Sequence, residues 1–299
     1  MKKISHIELG GTLFIPASHK QLNKVVNEGK FSGLKSLVID FEDGLSLEDF
    51  DSAKGELTTV LENIDETSPL VFLRSRDEGH LEELLELESI SKINGFILAK
   101  FSLLNADKYF ELLEETEFLV MPSIEGSELF DFEKLKALKE KIVPYKEKVL
   151  LIRFGLEDML RQLGMWRECS DTIFDLASTN TILGNLIGLF KSAGFAISGG
   201  VYPYYEKDDG FLKDVKRDLK EGLFSKTIIH PNQIEFCNEV YKVTIEQLTK
   251  AEEIVERRDE AVFSFRGSLA EVSTMYPFAL EILQRRDIYG IKNYKTSLK

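Results

Sequence analysis

The sequence predicts an α/β architecture: a closed (β/α)8 barrel followed by a C-terminal helical extension. Three observations carry this reading. Eight short apolar runs recur between the N-terminus and about residue 240, longer amphipathic stretches separate most of them, and the 299-residue length suits a barrel of about 250 residues with a tail. Runs that are nearly continuous in apolar character mark parallel strands covered on both faces. An open doubly wound sheet is the alternative, but the first strand lacks the GxGxxG fingerprint that would support a dinucleotide fold.

In order, the expected strands are TLFIP (12–16), SLVIDF (36–41), LVFLR (70–74), GFILAK (95–100), FLVMPS (118–123), VLLIRF (149–154), FAISGGV (195–201) and KTIIH (226–230). Helical patterns with polar faces lie between them, including residues 80–90, 105–115 and 132–142. The stretch 172–194 is the longest and most apolar of these and predicts a well-buried helix. Pro231 stands where the next helix should begin, and Thr244 and Gln247 have capping-box spacing. From about residue 261 a short extended piece precedes a last helix. The barrel is assigned to residues 1–242 and the extension to 243–299, docked on the barrel or on a neighbouring subunit.

Composition excludes several roles. A net charge of −13 opposes non-specific nucleic-acid binding, which needs a positive field. No apolar run approaches the roughly 20 residues of a membrane span, and the N-terminus MKKISHIELGG has no apolar core of a signal peptide. Cys169 and Cys237 are expected to be reduced thiols, which fits a soluble cytoplasmic protein.

Barrels of this kind carry their chemistry at the C-terminal strand ends. There the second strand presents Asp40, Glu42 and Asp43, the third Arg74 and Arg76, the fourth Lys100, the fifth Glu125, the sixth Glu157 and Asp158, and the eighth His230. Each has a plain structural reading: Asp43 as a helix cap, Lys100 in solvent, His230 bonded within a turn. As a set they gather charge on one rim. Glu125 and Asp158, on adjacent strands and facing cations, suit a hard divalent ion with an anionic substrate. Four histidines, none paired at zinc spacing, disfavour zinc. In this reading Gly155 lets the chain turn sharply at the rim so that Asp158 points inward, while Glu157 supports the ion ligands or caps the helix rather than binding the ion.

These residues resemble the HpcH/HpaI aldolase and citrate lyase β-subunit superfamily. The resemblance is greater to its citrate-lyase-like branch of carbon–carbon bond lyases from tellurite-resistance and stress-associated clusters. It runs through LGGTLFIPA (9–17), LVIDFEDGL (37–45), LRSR (73–76), GFILAK (95–100), MPSIEG (121–126), LLIRFGLEDML (150–160), GLFSKTIIHPNQI (222–234) and AEVSTMYPFA (270–279). It implies Mg²⁺, with Mn²⁺ as an alternative ion, on Glu125 and Asp158. It also implies Arg74 on a substrate carboxylate or carbonyl oxygen, with Glu42 and Asp43 in support and Lys100 and Gly155 beside the substrate. Glu271 matches a tail acid that reaches a neighbouring subunit's site, so a homo-oligomer, trimer or hexamer, is expected. Departures at Gly10, Gly11, Phe50, Ala99 and Met275 count against a CoA ester as the substrate handle.

The implied activity is metal-dependent cleavage or condensation of a small 2-oxo or 3-hydroxy carboxylate, or its acyl ester, through a stabilised enolate. Metal-assisted thioester hydrolysis on the same site and a catalytically silent binding barrel are the alternatives. A Schiff-base aldolase using Lys100 would leave the carboxylate pair idle.

Overall fold

Hydrogen-bonded to neighbours on both sides and covered by helices, the apolar runs fold as parallel strands. The computed structural model describes residues 4–43, 45, 48 and 50–292. The outer ends of both expected domains, residues 1–3 and 293–299, and Gly44 of the LVIDFEDGL motif lie outside the described residues.

The elements in chain order are β1 (Thr12–Pro16), α1 (Leu22–Asn27), β2 (Ser36–Asp40), α2 (Phe50–Glu62), β3 (Leu70–Arg74), α3 (Glu78–Leu85), β4 (Gly95–Leu98), α4 (Ala106–Leu113), β5 (Leu119–Ile124), α5 (Phe132–Ile142), β6 (Arg153–Phe154), α6 (Leu156–Gln162), α7 (Ala177–Lys191), α8 (Asp208–Lys220), β7 (Thr227–Ile228), α9 (Asn232–Tyr241), α10 (Ile245–Glu256), β8 (Val262–Phe265), β9 (Ser268–Glu271) and α11 (Val272–Tyr289). They group into two compact units, residues 1–234 and 235–299.

In the first unit the described strands form a curled parallel sheet in the order β6-β5-β4-β3-β2-β1-β7. Every position of β2 and β4 is buried. A plug of Leu9, Val38, Phe72, Ile97, Met121, Leu150 and Leu151 fills part of the interior, as a packed barrel core requires. The register sets Pro16 opposite Asp40, Asp40 opposite Arg74, and Ser123 opposite Arg153.

The seventh expected strand is where the structure departs most from the sequence reading. Residues 195–201 form no ladder, only an isolated bridge from Ile197 to Ile152. On one side Ile152 N–H donates to the Ala196 carbonyl and Ser198 N–H to the Ile152 carbonyl, both at 2.9 Å. On the other, Phe224 N–H donates to Ile197 at 3.0 Å and Thr227 N–H to Gly199 at 3.2 Å. Residues 196–199 therefore close the barrel between β6 and β7 as an eighth stave. Glycine weakens a strand and marks close approach, and a Cβ at Gly199 would collide with the Asp218 carboxylate.

Two helix expectations also shift. The apolar stretch 172–194 is helical only over α7 and buries one face through Thr179, Leu183, Leu186 and Phe190. Its start is taken by a turn in which Asp175 accepts from Thr172 N–H at 2.8 Å, a side-chain bond that competes with helix. α9 begins at Asn232 rather than Pro231. Ahead of it, Gln233 Oε1 accepts from the N–H groups of Ile229 and His230 at 2.9 and 3.2 Å.

The second unit joins α10 and α11 with an antiparallel β8–β9 hairpin, around a core of Ala251, Ile254, Phe263, Phe265, Ala270, Val272 and Ala279. The Thr244/Gln247 capping box forms as expected. Cys169 and Cys237 are not joined in a disulfide. Among the described residues no helix is long and apolar enough to cross a membrane.

Candidate active site

Side chains alternate between the two sides of a strand, and along the inward series the chemistry changes toward the C-terminal end. Val38 and Phe72 belong to the plug, whereas Asp40 and Arg74, two residues on, line a cavity of about 390 Å³. Along β5 and the residue after it, the series runs from Met121 in the plug to Ser123 and Glu125 at the cavity.

Arg74 is the most constrained group there. Its Nε and Nη2 donate to the two Asp40 carboxylate oxygens at 2.6 and 2.7 Å. Its Nη1 stands 2.9 Å from Glu42 Oε2 and its Nη2 3.7 Å from Asp43. Burial alone would lower its pKa, but the bonds and charges of Asp40, with those of Glu42 and Asp43, outweigh that and raise it. Burial pushes Glu42 upward against the pull of Arg74 and Lys100. Lys100 is raised by its hydrogen bond to Glu42, at 2.5 Å, from a backbone φ of 47° that L residues seldom adopt. Arg76 faces the loop after β2, its Nε and Nη2 donating to the carbonyls of Phe41 and Leu45 at 3.2 and 3.1 Å. It thereby fixes the segment that carries Glu42 and Asp43.

Glu125 is buried. Ser123 Oγ donates to its Oε1 at 2.6 Å, and its Oε2 is buried without a hydrogen-bond partner. Burial raises its pKa to about 7, against the Ser123 bond and with added push from the charges of Glu42 and Asp158. Asp158 lines the same cavity, from the first turn of α6, and pairs with Arg161 at 2.7 Å. Gln162 Nε2 ties the two acids' backbones together, donating to the carbonyls of Glu125 at 2.7 Å and Asp158 at 3.1 Å.

Gly155 acts differently from the sequence expectation. Its φ of −80° and ψ of 92° are open to any residue, so it makes no special turn. A Cβ there would instead collide with Glu125 Cγ, so the glycine is the space into which Glu125 packs.

Among the described residues no group of three or more His, Cys, Asp or Glu is placed to hold a metal. What stands ready is a pair. A buried carboxylate oxygen lacking a donor, in a cavity shared with a second carboxylate, fits a divalent cation whose remaining ligands are water and substrate oxygens.

A family described as C–C bond lyase of the TIM-barrel fold matches residues 3–291. The chain belongs to this family. Human mitochondrial citramalyl-CoA lyase is 24% identical to it over 292 residues, spanning 89% of this chain and 82% of that one. A citrate lyase from Burkholderia xenovorans LB400 superposes with a TM-score of 0.71 at 17% identity, covering 96% of this chain and 94% of that one. CitE of Mycobacterium tuberculosis, solved with magnesium, acetoacetate and coenzyme A, gives a TM-score of 0.67 at 17% identity, covering 94% of this chain and 99% of that one. At these identities the structural likeness concerns the fold.

In this lyase the strand-end acids and cations fall into two groups. Arg74, Glu42, Asp43 and Lys100 form one ion-pair cluster, and Glu125, Gly155 and Asp158 form part of the cavity wall with Arg74 and Asp43. His230 is used structurally: its ring stacks on Tyr205 at 4.8 Å and its Nδ1 accepts from Asn232 N–H at 3.3 Å. Glu271 belongs to the second unit, exposed at the N-terminus of α11. Met275 packs against that unit's core.

Sequence reading placed Asp40 at the strand end without a role, which its register with Arg74 supplies, and it missed one further set of residues. Lys226, fully buried, pairs with Asp214 and Asp218 of α8, and Asp214 also pairs with Arg167 at 3.2 Å. The i,i+4 spacing of Asp214 and Asp218 ahead of the SK dipeptide is the only signal for this tie between α8 and the barrel.

Proposed function

We propose that this lyase cleaves or forms a carbon–carbon bond in a small 2-oxo or 3-hydroxy carboxylate, or its acyl ester, with Mg²⁺ or Mn²⁺ held by Glu125 and Asp158. The observation that carries the reading is the buried Glu125 Oε2 without a donor, in a cavity that Asp158 also lines. When bound, a divalent ion supplies Lewis-acid stabilisation to an oxygen on which enolate charge develops.

The chain's own groups do the rest. Asp40 and Glu42 hold the Arg74 guanidinium at the cavity wall, where it adds positive charge beside the anion. Lys100 pairs with Glu42 and pulls against the burial that raises that acid's pKa, which helps hold the arginine in place. Glu271 serves as the acid that returns a proton to the enolate carbon, from a neighbouring copy in a homo-oligomer. The CitE structure with coenzyme A leaves a CoA ester open as a handle for that protein. For this chain the glycines at 10 and 11 weigh against it.

Calorimetric titration of Mg²⁺, paired with turnover assays on 2-oxo and 3-hydroxy acids, tests the assignment. Glu125→Gln and Asp158→Asn are expected to lose ion binding and turnover while staying folded. Arg74→Lys should keep the ion and lose most turnover, because an ammonium cannot reproduce the guanidinium fork. Near-normal Mg²⁺ affinity in either acid variant removes that residue from the ion site.

A further inference from the structure

Arg153 lies inside the barrel, 2% exposed, and lines the same cavity as Arg74. Its guanidinium reaches across three other strands. Nη1 donates to Thr227 Oγ1 on β7 at 3.1 Å, Nη2 to Thr12 Oγ1 on β1 at 3.0 Å, and Nε lies 3.3 Å from Met121 Sδ on β5. Thr12 is itself fixed by the hydroxyls of Ser36 at 3.0 Å and Ser225 at 2.8 Å. Barrel interiors are normally filled by branched apolar side chains, and taking a guanidinium out of water is costly. A leucine would fill this position more cheaply, and the arginine instead puts a rigid, planar donor at the wall of the cavity.

Register places that ligand. Arg153 is level with Ser123, and Glu125, one residue past the end of β5, is the next in the inward series. Two residues of strand rise set the arginine roughly 7 Å deeper than the carboxylate pair at the rim. The Phe14 ring centroid stands 5.4 Å from the guanidinium carbons of both Arg74 and Arg153, so two cations border one apolar wall. A chain of about four or five carbons spans that depth.

We propose that Arg153 binds a second carboxylate at the far end of the substrate and makes the lyase selective for dicarboxylic over monocarboxylic 2-oxo acids. The proposal deepens the function given above and rests on it.

Calorimetry with saturating Mg²⁺ on two length-matched pairs provides the test: oxaloacetate against 2-oxobutyrate, and 2-oxoglutarate against 2-oxovalerate. The wild type is expected to favour at least one dicarboxylate by about tenfold or more, the size of one charge-assisted pair. Arg153→Met should erase that preference and leave monocarboxylate and Mg²⁺ affinity within about threefold. Should Arg153→Met not fold, Thr227→Val frees one corner of the guanidinium and should weaken the dicarboxylates selectively. Equal wild-type affinity within both pairs, or parallel loss for both members in a folded variant, overturns the proposal while the lyase reading stands. Failure of all four acids to bind with Mg²⁺ overturns this inference, whereas failure of the wild type to bind Mg²⁺ at all overturns the ion-dependent reading beneath it.

Discussion

In the Glu125 side chain one oxygen is satisfied by Ser123 and the other meets no donor, so ionising it without a cation is unfavourable. The sign of the resulting pH dependence follows. Its pKa of about 7 in the folded chain lies above the ordinary value of 4.5. Between those values the folded state holds a proton that the unfolded chain has released, so stability falls as pH rises through that window. In chelator the wild type should lose up to about 3 kcal/mol across it, relative to Glu125→Gln. Denaturant melts at several pH values measure this, and parallel profiles for the two proteins would rule out Glu125 as the group. Added Mg²⁺ should reverse the trend, because it binds the ionised form and stabilises by linkage.

Within the elements, β5 and the start of α6 meet at Gly155, and the packing there sets how closely the two acids approach. Gly155→Ala is expected to cost about 1–3 kcal/mol as an overpacked contact. It should also weaken Mg²⁺ binding, read by thermal melt and calorimetry on the same sample. Unchanged Mg²⁺ affinity would mean that Glu125 can shift without consequence. The carboxylate pair is readable in the sequence because each acid follows an apolar run at a strand's C-terminal end, where a barrel directs its loops. The strand positions are readable for the same reason: burial on both faces leaves a continuous apolar signature, as β2 and β4 show. Other features depend on spatial neighbours far apart in the chain. Asp40 gains its role from register with Arg74, and Lys226 from α8 packing over β7. Gly155 looks like a turn residue in sequence, yet its reason is a side chain thirty positions earlier. The 195–201 stretch reads as a strand because it is apolar, although it pairs only at isolated points.

At the scale of the whole molecule, the proposed tail acid is open to a complementation test. Glu271→Ala and Arg74→Ala proteins are each expected to be inactive, and mixing them should restore part of the activity if sites are shared between copies. No recovery, once subunit exchange is demonstrated, would confine Glu271 to its own chain or remove it from the reaction. The stave at residues 196–199 has a separate, dynamic consequence. A closed barrel breathes where its backbone is least laddered, and local opening proceeds in cooperative segments of differing stability. Amide hydrogen exchange should therefore be slowest along β2, which is laddered on both sides, and distinctly faster at the N–H groups of Ser198, Phe224 and Thr227. Solvent would enter the barrel wall along that line first, making it the zipper by which the lyase begins to unfold. Exchange at Ser198 as slow as at Val38 would show instead that the closure is as firm as the rest of the wall.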